Sequence, residues 1–362
     1  MTKTNATIAD VARLAGVSTA TAGRVLGQYG YSSAEKRARV MAAAEELDYR
    51  PNVLARGLMT GSTGTIGVIA ADIQTEFYAQ VLRGVSDVLA QAGFGVLITN
   101  SDERLDSEVQ SVNLLREKQV DGLIVSPCDI VSAAHLRDAA ASGLPMVFVD
   151  RCVGGMEVPC VRVENVSSTR TAIARILRAG HTRVALIGEL ESSAWPTLES
   201  FVTDALQDKV SIPELYPSWQ RFLGYILAYR DAGLEIDLSL VRRTSSYSVQ
   251  SAERQAEFVL SAENRPTALF TTDGLMSVGA MRAVFNLGLR VPDDLSLCCF
   301  DDLDWMAFLN PGIDAISQPR RAMGEAAAEM LIGLINGTRS LPARQELAPR
   351  LIIRGSLRTG LS

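Results

Sequence analysis

Residues 7–26, T-I-A-D-V-A-R-L-A-G-V-S-T-A-T-A-G-R-V-L, decide the fold of the first part of this chain. Thr7, with an acidic residue three positions later, forms a capping-box pattern that begins a helix, and Gly16 can take the positive φ of a tight turn. Ser18 is a natural N-cap for a second helix over residues 19–26. Two short helices joined by a glycine turn form a helix-turn-helix, whose second helix enters the major groove of DNA. Taken alone, the pattern also fits a helical hairpin that binds nothing.

The residues that follow extend this helical unit. Ser32 and Glu35 form another capping-box pattern, which predicts a third helix through Leu47. A short apolar and basic run at 53–59 then passes into a linker rich in Gly, Ser and Thr. Residues 1–60 contain eight Lys or Arg and five Asp or Glu, in a chain whose net charge is −6. A basic end on an acidic body is typical of a protein that contacts phosphates through one end only.

The composition is that of a globular protein long enough for two or three domains, with 362 residues of which 47% are hydrophobic and 21% charged. No apolar run is long enough for a membrane helix, and the first residues lack the apolar core of a secretory signal. The five cysteines are odd in number and lack the paired spacing of a metal site, and the adjacent Cys298 and Cys299 are expected to be reduced core residues. We therefore expect a cytoplasmic protein without a metal or a cofactor.

Beyond residue 64 the sequence alternates short apolar runs with amphipathic helical segments. One series of runs lies at 66–70, 95–99, 122–126 and 146–150, and a second at 184–188, 240–244, 268–272 and 295–300. Continuous apolar strands separated by helices predict parallel sheets covered on both faces, and two such series predict two lobes. A last helix at 320–336 and a tail strand at 350–355 would cross back over the lobes.

Three segments carry a resemblance to a known family. They are A-T-I-A-D-V-A-R-L-A-G-V-S-T-A-T at 6–21, R-V-L at 24–26, and A-A-A-E-E-L-D-Y-R-P-N-V-L-A-R-G-L at 42–58. They closely resemble the DNA-binding headpiece and hinge of the lactose-repressor (LacI/GalR) family, and further matches run through most of the chain. The resemblance implies an all-α helix-turn-helix headpiece followed by a two-lobed α/β body that is similar to periplasmic binding proteins and contains parallel sheets.

The implied domains are a headpiece at 1–50, a hinge at 51–63, and an effector-binding and dimerisation body at 64–362. Within the body, the first lobe is expected at about 64–163 and 320–345, and the second at about 164–318 and 346–362. The chain is expected to cross between lobes near residues 163–165 and 318–319. No leucine heptads follow the tail strand, so a homodimer is expected rather than a tetramer.

The resemblance also implies which residues contact DNA. Those that follow the Ser18 cap, namely Thr19, Ala20 and Arg24, are expected to face base edges. Arginine can bind guanine through two hydrogen bonds, although a phosphate contact is the alternative for Arg24. Phosphate partners are expected at Thr7, Ser18, Thr21, Tyr31 and Asn52, each of which could instead serve in capping or packing.

The hinge segment resembles a family element that becomes helical only on the operator. Ala55 and Leu58 are its expected DNA-contacting residues, with Leu58 inserted into the minor groove. In the recognition helix, Gly23 occupies a position where the family usually has a phosphate-contacting serine. Glycine there puts the rigidity of the helix, or its register on DNA, in question.

A ligand of a two-lobed α/β protein lies outside the carboxyl ends of the strands. Arg221 and Asp301 match effector-contacting residues of the family, and Asp273 stands where an asparagine is more usual. Carboxylates, arginine and aromatic faces suit a sugar or a polyol, although each residue could instead be a strand-end cap or surface group. The predicted effector-binding residues are Asp72, Phe77, Asp150, Arg151, Arg221, Tyr247, Asp273 and Asp301.

The expected function is that of a transcriptional regulator, most simply a repressor, which binds a palindromic operator as a dimer under control of a sugar or polyol. The segment at 189–219 is about twice as long as in most relatives, and a lid or surface elaboration is favoured over direct ligand contact. A soluble sugar-binding protein without a DNA role is one alternative. An enzyme is another, but the chain has only two histidines, His135 and His181, and no phosphate-binding loop.

Overall fold

We describe a computed structural model of the chain, which covers residues 6–27, 30–49, 62–190, 195–338 and 344–360. Within these ranges the headpiece has three helices, α1 (Ile8–Ala15), α2 (Thr19–Leu26) and α3 (Ala34–Glu46). The predicted hinge contacts Asn52, Ala55 and Leu58 lie outside the described residues.

The headpiece helices begin at the residues that the caps predict, with one correction. Thr7 makes both bonds of the capping box, Gly16 has a φ of 61°, and the Ser18 hydroxyl accepts a hydrogen bond from the backbone of α2. The third helix is capped by Ser33 instead of the predicted Ser32, because the Ser33 hydroxyl accepts the N–H of Lys36. The three helices enclose a small core of Val11, Ala12, Ala15, Ala22, Val25, Val40, Ala43 and Ala44.

The body contains twelve strands and nine helices in the described ranges. In chain order they are β1 (Thr65–Ala70), α4 (Glu76–Gln91), β2 (Gly95–Asn100), α5 (Leu105–Glu117), β3 (Gly122–Val125), α6 (Ala134–Ala141), β4 (Met146–Val149), β5 (Cys160–Val163), α7 (Asn165–Arg178), β6 (Val184–Gly188), α8 (Leu198–Leu206), α9 (Pro217–Ala232), β7 (Val241–Arg243), α10 (Val249–Leu260), β8 (Ala268–Thr271), α11 (Gly274–Asn286), β9 (Ser296–Phe300), β10 (Asp314–Ser317), α12 (Arg320–Ile335), β11 (Arg344–Leu347) and β12 (Arg350–Ile352).

The strands form two six-stranded sheets, one in each lobe. The first has the order β11-β5-β4-β3-β1-β2 and is parallel throughout. The second has the order β12-β10-β9-β8-β6-β7, and it is parallel except for β12, which pairs antiparallel to β10. The central apolar strands are buried from both sides by helices, as continuous hydrophobic runs require, whereas the edge strand β2 is partly exposed.

The chain crosses between the lobes three times in the described residues. It leaves the first sheet after β5, returns from β10 to α12 through Gln318 and Pro319, and leaves again between β11 and β12. The predicted second-lobe segment 346–362 begins too early, because Glu346 and Leu347 pair with β5 in the first sheet. The last crossover therefore lies at residues 348–349.

Close helix packing within each lobe depends on glycines. A Cβ at Gly324 of α12 would lie 2.0 Å from the carbonyl oxygen of Val81 in α4, and one at Gly224 of α9 would lie 2.5 Å from the carbonyl oxygen of Val166 in α7. Only a residue without a side chain lets these backbones approach so closely. The first lobe also contains a disulfide between Cys152 and Cys160, which the sequence analysis did not predict, whereas Cys298 and Cys299 are free and buried as expected.

Candidate functional site

A cavity of about 410 Å³ lies between the lobes, at the carboxyl ends of strands from both sheets. All eight residues predicted to bind the effector line this cavity. The sequence analysis missed further lining residues, which include Tyr78, Glu103, Glu189, Tyr216, Pro217, Ser218 and Gln318. Asn100, the last residue of β2, and Asp102 do not line the cavity, and their side chains are hydrogen-bonded to each other on the surface. We call this cavity the interlobe cleft.

The first-lobe wall of the interlobe cleft is formed by the residues that follow β4. Asp150 is buried with a φ of 69°, and its Oδ1 atom has no hydrogen-bond partner. The neighbouring guanidinium of Arg151 donates two hydrogen bonds to Glu103, at 2.6 and 2.7 Å. Burial raises the pKa of Asp150, and the nearby positive charge of Arg151 opposes that shift. This wall therefore presents a carboxylate whose neighbouring cation is already paired.

Arg221 anchors the second-lobe wall. Its Nε atom donates to Asn165 Oδ1 at 2.8 Å and its Nη1 atom to the carbonyl oxygen of Thr272 at 2.5 Å. The guanidinium carbon lies 3.7 Å from the ring centroid of Phe300, a cation–π contact. The arginine is thus held rigidly at the base of the wall by α7, β8 and β9.

Two carboxylates beside Arg221 complete this wall. Asp273 caps α11 by accepting the N–H of Met276 at 3.0 Å, and burial raises its pKa to about 6. Asp301 accepts the N–H of Gly274 at 3.0 Å and the Nε2 hydrogen of Gln318 at 2.6 Å. Because Gln318 lies on the second crossover, the wall is bonded directly to a segment that joins the lobes.

Tyr216 crosses the interlobe cleft from the second lobe to the first. Its hydroxyl oxygen accepts the backbone N–H of Ile130 at 3.2 Å, and its ring centroid lies 5.8 Å from the Arg151 guanidinium carbon. Burial raises the pKa of Tyr216 to about 12, so the phenol stays protonated at neutral pH. This residue makes a polar contact that exists only when the lobes are arranged as they are here.

The long segment at 189–219 supports Tyr216. Trp195, Phe201 and Trp219 pack against one another with ring centroids 4.5–5.8 Å apart, and they are part of the second-lobe core. The segment was expected to be a lid or surface elaboration, with direct ligand contact as the less favoured alternative. It lines the interlobe cleft at Glu189, Tyr216, Pro217 and Ser218, so it is placed for ligand contact.

The predicted base-contacting residues lie on the exposed side of α2. Thr19, Ala20 and Arg24 are exposed, and Arg24 Nε donates a hydrogen bond to the carbonyl oxygen of Ala20 at 3.3 Å. Arg24 must release this bond to reach a base. The helix continues through Gly23 to Leu26.

The predicted phosphate partners in the headpiece have local roles in the free chain. The hydroxyl of Thr7 donates to Asp10 at 2.6 Å, and those of Ser18 and Thr21 lie 2.9 Å apart. Tyr31 is 89% exposed. Their contacts with DNA stay predictions.

Neither histidine belongs to the interlobe cleft. His135 lies 2.6 Å from Glu108, and His181 contacts Thr267 and the carbonyl oxygen of Arg358. The described residues contain no group of three or more His, Cys, Asp or Glu placed to hold a metal ion. None of the helices in the described ranges has the length and apolar character needed to cross a membrane.

Comparison with known proteins places these features in a family. Residues 7–52 match the profile of bacterial regulatory proteins of the lacI family, residues 63–207 that of the periplasmic binding proteins and sugar binding domain of the LacI family, and residues 173–357 a periplasmic binding protein-like domain. Catabolite control protein A of Priestia megaterium is 30% identical over 92% of this chain and 93% of its own length. The HTH-type transcriptional repressor PurR of Aliivibrio salmonicida is 28% identical over 97% of this chain and 99% of its own length.

The fold of this chain is also similar to solved structures of transcriptional regulators. The lac repressor dimer bound to operator and the anti-inducer ONPF is 25% identical with a TM-score of 0.81, covering 98% of this chain and 99% of that one. In the complex of the regulator CelR with cellobiose, CelR is 25% identical to this chain with a TM-score of 0.69. The match covers 97% of this chain and 99% of CelR. The expected resemblance is confirmed over the headpiece and both lobes, and the chain belongs to the LacI family of bacterial regulatory proteins.

Proposed function

We propose that this protein is a transcriptional repressor that binds a palindromic operator through its headpiece as a homodimer in the cytoplasm. The proposal is based on the observation that a single chain contains two candidate sites, one suited to DNA and one suited to a small molecule. An exposed recognition helix bears Arg24, and a polar cavity lies between two lobes. The relatives are regulators and not enzymes, and both histidines of this chain are engaged away from the cavity.

The proposed effector is a small hydroxylated compound, a sugar or polyol, bound in the interlobe cleft. Asp150, Asp273 and Asp301 would accept hydrogen bonds from hydroxyls, and Phe77 or Tyr247 would cover an apolar ring face. The regulator CelR, which has the same fold, forms a complex with cellobiose, and this supports a sugar as the class of effector. Since the cavity has walls from both lobes, a bound effector would favour one arrangement of the lobes over another.

The proposed dimer brings two headpieces to one operator. Large apolar side chains are exposed on both lobes, including Leu97 and Ile98 on the edge strand β2 of the first lobe and Phe285 and Phe308 of the second. The neighbouring Leu97 and Ile98 on the open edge of the first sheet are the part of this surface that a second subunit would cover. A change in lobe arrangement would alter the spacing of the two headpieces, which links effector binding to DNA binding.

The test combines selection and titration with the full-length protein. Purified protein is used to select duplexes from random oligonucleotides at low salt, and we expect a two-fold symmetric sequence to be enriched. Fluorescence anisotropy with that duplex is then repeated in the presence of sugars and polyols, and we expect at least one to change the affinity. Failure to enrich any palindrome would refute the proposed repressor function, and sedimentation velocity would test the dimer independently.

The second candidate is a small-molecule binding protein without a DNA role. The capped, packed headpiece with its exposed recognition helix argues against it. Binding of an effector by a protein that shows no measurable DNA affinity even at low salt would favour this second candidate.

A further inference from the structure

The residues that line the interlobe cleft carry an excess of negative charge. Two guanidinium groups, of Arg151 and Arg221, face seven carboxyl groups, those of Asp72, Glu76, Glu103, Asp150, Glu189, Asp273 and Asp301. Glu76 forms an ion pair with Arg320, which does not line the cavity, at 3.0 Å between Glu76 Oε1 and Arg320 Nη1. Even without Glu76 and Glu189 in the count, five carboxyl groups face two guanidinium groups. An anionic ligand would therefore be repelled.

Both guanidinium groups direct hydrogen bonds to the protein. Arg151 makes a two-pronged ion pair with Glu103 and also donates to the carbonyl oxygen of Pro127 at 3.2 Å. Arg221 donates to Asn165 and to Thr272 while it stacks on Phe300. Both cations thus hold the walls through their hydrogen bonds, although Arg151 Nε is a buried donor without a hydrogen-bond partner. The other charged groups that line the cleft are hydrogen-bond acceptors.

Among the described residues that line the cleft, two buried acceptor atoms lack a hydrogen-bond partner, Oε1 of Gln318 and Oδ1 of Asp150, and the ionisable one of the two belongs to Asp150. Only 8% of its surface is exposed, and its Oδ1 atom is buried without any hydrogen-bond partner. Its nearest cation is Arg151, whose Nε atom lies 3.8 Å from the other carboxylate oxygen, Oδ2, beyond hydrogen-bond distance. A buried carboxylate oxygen without a donor is costly, because desolvation is not repaid. A donor group of a ligand would satisfy this oxygen.

The aromatic side chains of the interlobe cleft suit the same kind of ligand. Phe77, Tyr78, Tyr216 and Tyr247 all line the cavity. The negative faces of aromatic rings attract cations, most strongly where water is excluded. Carboxylates and aromatic rings together are complementary to an ammonium group, whereas neutral sugars use only the hydrogen bonds and the stacking.

We propose that the effector is a hydroxylated compound with a protonated amino group, such as an amino sugar, and that Asp150 binds its ammonium. This inference rests on the proposed function, because it assumes that the interlobe cleft is the effector site. Asp273 and Asp301 lie on the opposite wall and would accept hydrogen bonds from the hydroxyls.

The test is isothermal titration of the full-length protein at neutral pH with matched probes. Glucose, galactose and mannose are each compared with their 2-amino, N-acetylamino and uronic acid derivatives. We expect one amino sugar to bind at least about tenfold more tightly than its neutral parent, since a charge-assisted hydrogen bond is stronger than a neutral one. The N-acetyl and uronic acid forms should bind no better than the parent.

Two variants assign the preference to Asp150. Asp150→Asn keeps the shape and removes the charge, so it should abolish the amino preference while the neutral sugar still binds. Glu263→Gln makes the same change of charge at an exposed residue before β8, on the opposite end of the sheet from the cavity. It should leave the preference intact.

The outcomes separate this inference from the proposed function. If a neutral or N-acetylated sugar binds as tightly as the amine, or if Asp150→Asn retains the amino preference, the inference is wrong and the effector site stands. If no probe of any charge binds, both the proposed effector site and this inference fall.

Discussion

Replacing Tyr216 by phenylalanine removes one oxygen atom from the contact between the lobes. The backbone N–H of Ile130, a residue only 6% exposed, then loses the acceptor that lies 3.2 Å away. A buried amide left unpaired costs about 1–1.5 kcal/mol. That energy corresponds to a shift of about five- to tenfold in the equilibrium between this arrangement of the lobes and a more open one.

Hydrogen exchange measures this shift without a known effector. We expect the amide of Ile130, followed in peptides that span residues 128–133, to exchange about five to ten times faster in Tyr216→Phe than in the wild type. The overall melting temperature should change little, because water can solvate the amide once the lobes open. Effector affinity should fall by a similar factor if the effector requires the present arrangement.

A matched substitution on the same helix serves as the control. The hydroxyl of Tyr225 donates to the carbonyl oxygen of Val184 at 2.8 Å, entirely within the second lobe. Tyr225→Phe should lower the melting temperature and leave exchange at Ile130 unchanged. Exchange in Tyr216→Phe within twofold of the wild type would refute the reasoning that Tyr216 holds the lobes together.

Three further predictions concern the headpiece, the interlobe cleft and the core. Arg24→Ala should weaken operator binding about tenfold or more, measured by anisotropy, and relax selectivity at one base pair; an equal loss on random DNA would indicate a phosphate contact instead. Asp273 has a pKa raised to about 6, so the free energy of unfolding should fall as pH rises from about 4 to 6. Asp273→Asn removes that fall and should raise the melting temperature of the ligand-free protein at pH 8 but hardly below about pH 4, where the carboxyl is protonated in both states; a gain that is independent of pH would contradict this cause. Gly324→Ala places a Cβ 2.0 Å from the carbonyl oxygen of Val81 and should cost about 3 kcal/mol in chemical denaturation, whereas an unchanged midpoint would show that α4 and α12 can separate freely.

The sequence was sufficient to predict features that depend on short-range rules. Caps and glycine turns located the headpiece helices within a residue or two. The rule that ligands lie beyond the carboxyl ends of parallel strands brought Asp72, Asp150, Asp273 and Asp301 to one cavity, although they are far apart in the chain. Neither rule requires knowledge of how the two lobes pack.

Other features could not be predicted, because they depend on long-range contacts. The strands β5, β10 and β11 were missed because each has only four residues and contains charged or polar side chains. In β11, R-Q-E-L, the exposed position at the edge of the sheet permits this composition. Tyr216 and Glu103 were missed because their place in the interlobe cleft depends on how their loops fold back, which local patterns do not encode.

The three crossovers have a consequence for how the protein is made. The edge strands β11 and β12 both come from residues 344–352, so neither sheet is complete until these residues have been synthesised. The headpiece is contiguous at the start of the chain, and its helices emerge from the ribosome first. During translation the part that would recognise DNA can fold long before the part that would restrain it, and the sensing body acquires its final strands last.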